Sequence, residues 1–202
     1  MNYIEYFIDF KKRMNVKNIK DVVETAEAYS LDKSNTKIND LKYKIINHIE
    51  RYSLSNSLED FMCLIIEHEC MASFFAKEAG KQNASEKAQL SFLKQRGITL
   101  KDLPNSKKKG KIIKGVEKTL DFTSIKFPNR FFIAKTCMGS GGSQDGTFNE
   151  VRDAVRNLYN DPQPEEVYAL VDGTRFHKEA VEILKKYETD NIKITNSNIY
   201  TE

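Results

Sequence analysis

Residues 118–144 read Lys118-Thr-Leu-Asp121-Phe122-Thr-Ser-Ile125-Lys-Phe127-Pro128-Asn129-Arg130-Phe-Phe132-Ile133-Ala134-Lys135-Thr136-Cys137-Met-Gly139-Ser-Gly141-Gly142-Ser143-Gln144. Two short apolar runs flank a turn signal at Pro128 and Asn129. The spacing predicts a strand over 125–127, a second over 130–136, and then a loop carrying three glycines. Around the first run stands a lone carboxylate, Asp121.

Downstream, 148–160 has helical periodicity with Val151, Val155 and Leu158 on one side. The run Val167 to Val171, ending at Asp172-Gly173, predicts a buried strand. A helix is expected over 174–187 and a last strand at Ile192 to Thr195. Upstream the chain reads almost entirely as helix: 3–14, 19–29, 38–52, 58–79, and one capped by Ser85 that stops at Gly97. Residues 98–103 read as a lead into the lysine-rich loop. The expected class is therefore α/β in the α+β sense, with a helical N-terminal half and then a mixed sheet flanked by helices. One domain is expected over 1–202, its 1–103 part mainly helical and its 118–195 part the sheet core.

Composition narrows the classes. Of 202 residues, 40% are hydrophobic and 30% charged, which excludes a disordered chain. No apolar run reaches the roughly 18 residues of a membrane span. The opening residues lack the basic-then-apolar order of a signal peptide, so cytoplasmic residence is expected. Cys63, Cys70 and Cys137 form no Cys-x-x-Cys pair, and His48, His68 and His177 are scattered. Glu67-His68-Glu69-Cys70 reads as helix surface beside a core face. The net charge is +3, but six lysines and one acid fall between Lys107 and Lys118. Lys107, Lys108, Lys109 and Lys111 are thus candidate phosphate contacts, and equally what a solvated loop looks like.

Strand alternation puts Phe132, Ala134 and Thr136 on one face of the second run and Ile133, Lys135 and Cys137 on the other. A Mg²⁺-dependent phosphodiesterase needs carboxylates that converge on one point, because Mg²⁺ takes oxygen ligands in near-octahedral geometry. Asp121 supplies one. Thirteen residues later, where an acid and a lysine two positions apart would complete such a site, stand Ala134 and Thr136, with Lys135 between.

The pattern Lys118-x-x-Asp121-Phe122, Phe132-Ile133-Ala134-Lys135-Thr136, Gly139-x-Gly141-Gly142-Ser143-Gln144, Asn149-Glu150 resembles the PD-(D/E)xK nuclease superfamily, and more narrowly a group of type II restriction endonucleases. The segment Val171-Asp172-Gly173 and, more faintly, Tyr6 to Phe10 also look like that group. The likeness covers about residues 118–195, and its most specific part is the glycine-rich stretch after a strand. The resemblance implies a restriction-endonuclease-like fold and Mg²⁺-dependent hydrolysis of duplex DNA at a short sequence, with 5′-phosphate and 3′-hydroxyl ends. It also implies a homodimer matching a palindrome, and a cognate DNA methyltransferase that protects the host genome.

The resemblance further implies that Asp121 and the acid belonging at 134 hold the metal, with Lys118, Lys135 and Thr136 as further catalytic positions. Glu86, on the helix before the site, is a candidate third metal ligand. Gly141, Gly142, Ser143 and Gln144 are candidate DNA contacts, because glycine lets a phosphate approach the backbone. Arg152 and Arg156 on the next helix are also candidates. Glu150 is placed either near the metal region or simply in that helix's first turn, where acids are favoured.

Two residues depart from the family pattern: the expected glutamate at 134 is alanine and the expected lysine at 136 is threonine. Three explanations stand for Ala134: an engineered inactivating change, a naturally dead relative, or ordinary strand filling. Two other functions remain open beside the restriction enzyme. One is a non-catalytic DNA-binding protein on a dead nuclease fold. The other is a metal-dependent RNA endonuclease of the cap-snatching type.

Overall fold

The computed structural model describes residues 1–33, 38–78, 83–103, 120–139 and 142–201, with the side chains of 142–144 excepted. Helices α1 (Tyr3–Leu31), α2 (Asn39–Tyr52), α3 (Leu58–Glu67), α4 (Glu69–Phe75) and α5 (Ala84–Gln95) come first. They are followed by β1 (Leu100–Asp102), β2 (Phe122–Ser124), β3 (Arg130–Thr136), α6 (Gly142–Asn160), β4 (Glu166–Asp172), α7 (Lys178–Lys185) and β5 (Ile192–Thr195). The chain divides into one compact unit of residues 1–8 and 85–202 and another of residues 9–84.

The first unit holds a mixed sheet in the order β1-β2-β3-β4-β5. β2 runs antiparallel to both β1 and β3, and β3, β4 and β5 run parallel. Parallel neighbours need a crossover, and α6 and α7 supply the two. Both pack on one face. Phe148, Val151, Val155 and Leu158 of α6 and Ala180 and Leu184 of α7 share a buried cluster with Phe131, Ile133, Val167, Ala169 and Val171. The opposite face buries Phe122, Phe132, Ala134 and Leu170 against Leu93 of α5 and Tyr200. Alternation along β3 is therefore realised: Ile133 looks toward α6 and α7, Phe132 and Ala134 toward α5.

The second unit is helical. Ala26 and Tyr29 of α1, Leu41 and Ile45 of α2, Phe61, Met62 and Ile65 of α3, and Ala72 and Phe75 of α4 form its core. A capping box starts α3. Ser57 Oγ accepts from Asp60 N at 3.1 Å, and Ser57 N donates to Asp60 Oδ2 at 2.7 Å. Ser57→Ala is expected to cost about 1 kcal/mol, read as a lower melting temperature that Ser57→Thr largely restores.

Several expected boundaries change. The helices anticipated over 3–14 and 19–29 are one helix, because residues 15–18 contain no proline or glycine to stop it. The helix anticipated over 58–79 breaks at His68, which is extended at φ −131° and ψ 110°. That residue lies between two helices, not on a helix surface. Leu100–Asp102 is a strand, where only a connection was expected. The first strand of the hairpin is 122–124, not 125–127. Phe127 N donates to Ser124 Oγ and Arg130 N to Phe127 O, so the apolar residues Ile125 and Phe127 form the turn. Helix α6 starts six residues earlier than the expected 148, and α7 is shorter than 174–187. Among the described residues no helix is long and apolar enough to cross a membrane.

Candidate functional site

Asp121 lies just before β2, beside the middle of β3. The N–H and C=O of a strand residue point to the same edge, so Phe132 and Ala134 both present theirs toward β2. Asp121 N donates to Phe132 O at 2.9 Å, continuing the ladder. At the next rung the side chain takes over: Asp121 Oδ2 accepts from Ala134 N at 2.8 Å. On the other side, Leu103 N donates to Asp121 O at 2.9 Å. The carboxylate is thus held at the edge of β3 by its own backbone bonds and has little freedom to swing away.

This placement settles the position of Lys135. Alternation sends it to the face opposite Ala134, yet its Nζ lies 3.9 Å from Asp121 Oδ2. An acid at a strand edge is not confined to one face, so facing direction does not separate the pair. The side chains are only 11% and 19% exposed, which protects the attraction from solvent screening.

Glu86, on the first turn of α5, feels the same centre. Its carboxyl is held above the usual range by burial first and then by the negative charge of Asp121; Lys135 opposes this and Asp102 adds to it. A carboxyl whose proton affinity is raised by a neighbouring carboxylate marks an electrostatic setting in which a cation is welcome. The donor set nonetheless fits a divalent cation only in part. Ala134 is 1% exposed, and its methyl packs with Leu93, Phe122, Phe132 and Leu170. Counting two residues back from Lys135 leads to Ile133, buried with α6 and α7. Neither register of the acid-x-lysine pattern brings a second carboxylate from β3. Among the described residues no group of three or more His, Cys, Asp or Glu is arranged to hold a metal ion.

A polar network behind the site escaped the sequence reading. Thr136 Oγ1 is 2.9 Å from Tyr3 OH, which also donates to Ser85 O, one residue before Glu86. Thr136 is paired in register with Asp172, at the end of β4. The buried Asp172 carboxylate accepts from Gln89 Nε2 at 2.9 Å, Ser197 N at 3.1 Å and Ser197 Oγ at 2.6 Å. Tyr3 N donates to Asn198 Oδ1 at 2.8 Å. Tyr3 and Gln89 carry no signal in the sequence, since they meet the sheet from positions far apart in the chain. The one usable hint was an aspartate closing an apolar strand just before a glycine.

Burial holds the Asp172 carboxyl above its ordinary value of 3.8, against the opposing hydrogen bonds from Ser197 and Gln89. The folded state then binds the proton more tightly than the unfolded state does. Stability from this group is greatest below 3.8 and falls as pH rises through the folded value. In Asp172→Asn that fall is expected to vanish, so melting temperatures of the two proteins diverge between pH 4 and neutrality. Parallel curves over that range (about three pH units) would remove the assignment. Burial likewise pushes the Tyr3 hydroxyl far above its usual value, so it stays a neutral hydrogen-bonding group.

The other expected positions fall as follows. Lys107, Lys108, Lys109, Lys111, Lys118 and Gly141 lie outside the described residues. Gly142, Ser143 and Gln144 form the first turn of α6, so the glycine-rich stretch runs directly into a helix rather than staying a loop. Glu150 therefore sits in the interior of α6 and not in its first turn, because the helix begins at Gly142. Arg152 and Arg156 both pair with Asp153, at 3.1 and 3.2 Å. Comparison with protein-family models, with curated proteins and with solved structures returned no match.

Proposed function

We propose that this chain is built as a type II restriction endonuclease that binds duplex DNA, with cleavage prevented by alanine at position 134. The observation that carries the reading is the fixed Asp121 carboxylate with Lys135 at 3.9 Å and Glu86 in its field, at the edge of β3. In this reading Asp121 and Glu86, with a glutamate at 134, would hold Mg²⁺, which would supply Lewis-acid activation of a phosphate oxygen and of an attacking water. Lys135, beside Asp121, is placed to neutralise charge on a phosphate, and Tyr3 with Thr136 keeps the end of β3 in place. The N-terminal turn of α6, which begins at Gly142, favours an approaching phosphate. Dimerisation, a partner methyltransferase and a cytoplasmic setting belong to the same proposal.

A second reading is favoured by one specific feature. The Ala134 methyl is buried in an apolar cluster with Leu93, Phe122, Phe132 and Leu170, as an ordinary core residue would be in a non-catalytic binding protein. The test is to incubate Ala134→Glu with mixed plasmid DNA and Mg²⁺. Discrete fragments, absent with the unaltered chain, support the enzyme. Intact DNA from a folded variant that still binds duplex supports the binding protein. Preference for RNA over duplex DNA in competition would move the reading to an RNA endonuclease.

A further inference from the structure

The helical unit carries a cleft that the site at β3 does not involve. Lys44, His48, Arg51 and Tyr52 follow one another on α2 at spacings of four, three and one, which places them along one side of the helix. Phe74 and Phe75 close α4, and Lys77 and Glu78 follow. Together with Asn47 they line a cleft of about 500 Å³, within the range of small-ligand sites.

Its walls are aromatic. The His48 ring centroid is 4.8 Å from that of Tyr52 and 4.9 Å from that of Phe74. Phe75 and Phe61, both buried in the core, stand 5.8 Å from it behind. Yet Phe74 is 62% exposed and Tyr52 56% exposed. Two rings left this open forgo the burial that ordinarily stabilises large aromatic side chains. Core formation explains Phe61 and Phe75 and leaves Phe74 and Tyr52 unexplained.

Its rim is cationic. Lys44, Arg51 and Lys77 stand against a single acid, Glu78, among the lining residues. Lys44 is turned inward: Nζ donates to Phe75 O at 2.9 Å. Burial first, and then repulsion from Lys77, hold its ammonium below the usual value. Two ammonium groups that repel each other at a cleft are relieved by an anion. The Arg51 guanidinium lies 5.6 Å over the Tyr52 ring, which fixes its orientation.

We propose that this cleft takes one unpaired nucleotide of a nucleic-acid strand, with its base against Phe74, His48 and Tyr52 and its phosphate among Lys44, Arg51 and Lys77. Aromatic faces accept any base, and the cations supply affinity for the backbone. Asn47 stands at the cleft with the donor and acceptor pair that reads a base edge. This site goes beyond the cleavage proposal and does not depend on it, since all its residues belong to the other unit.

The test uses the full chain and a short fluorescent single-stranded oligodeoxynucleotide, read by anisotropy at fixed salt. It is compared with an oligonucleotide of equal length and charge whose central positions are abasic. The base-bearing strand is expected to bind about tenfold tighter, the scale of one base stacked on an aromatic side chain. Phe74→Ala and, separately, Tyr52→Ala should abolish that preference. Both side chains are exposed, so unchanged melting curves verify folding. Arg51→Ala should weaken both strands and lower the salt dependence. Equal affinity for the two strands would overturn the proposal. So would a dimer in sedimentation that Phe74→Ala converts to monomer, which would make the cleft a contact between copies. Plasmid cleavage by Ala134→Glu without any base preference would leave the nuclease reading standing and remove this one.

Discussion

Adding Asp121→Asn to the Ala134→Glu protein is expected to lower plasmid cleavage about 10³-fold, the scale of losing one group that stabilises charge in a transition state. The melting temperature should change little. Asparagine keeps an oxygen that can accept from Ala134 N, the 2.8 Å bond that joins Asp121 to β3. What it lacks is the charge that attracts Lys135 at 3.9 Å and the anionic oxygen a cation needs. Asp121→Ala is the instructive contrast. It removes the acceptor as well, leaving the N–H at position 134 without its partner, at a cost of about 1–3 kcal/mol. Loss of cleavage with retained stability in the asparagine variant identifies a functional carboxylate. Undiminished cleavage in that variant would show that Asp121 is only a structural rung of the sheet.

Gly173→Ala is expected to destabilise by about 3 kcal/mol or more, because two independent penalties coincide. Gly173 has φ +104°, a region that side chains disfavour, and an added Cβ would stand 2.1 Å from the Cys137 carbonyl oxygen. The atoms it meets are backbone, so no rotamer change relieves the contact. They cannot easily withdraw either. Cys137 N donates to Asp172 O at 2.9 Å and Arg175 N to Cys137 O at 3.2 Å, tying the ends of β3 and β4 together. At this chain length the melting temperature should drop by about 10 °C. Gly146 provides the control. It lies within α6 with nothing within 4 Å of its added Cβ, and Gly146→Ala should raise stability slightly through helix propensity. A Gly173→Ala protein as stable as its parent would mean that the β3 and β4 ends shift freely, which the hydrogen bonds oppose.

Much of the sheet was legible. The boundaries of β3 and β5 follow from apolar runs with turn signals beside them, and β4 differs by one residue at either end. Strand alternation correctly divided Phe132 and Ala134 from Ile133. The reading failed where apolar composition outweighed local hydrogen bonding. Ile125 and Phe127 look like strand residues, but the bond from Phe127 N to Ser124 Oγ makes them a turn and shifts β2 back to Phe122. It failed again at His68, where apolar residues on both sides of Glu67-His68-Glu69 hid a change of backbone direction that serves one common core.

The stretch 118–144 by itself determined that an acid, a strand and a glycine-rich segment follow in that order, and that position 134 offers no metal ligand. Those are properties of residue type and of a period-two chain, which need no partners to be read. Only the tertiary structure decided that Lys135 joins Asp121, because the acid sits at a strand edge where facing direction ceases to apply. It alone brought Glu86 into the same field and placed Tyr3, Gln89 and Ser197 behind Thr136 and Asp172. Those neighbours come from segments separated by up to 133 positions in the direct pairs with the strand ends. Their meeting is set by packing α5 and the first turn of α1 on the sheet, and no local pattern encodes it.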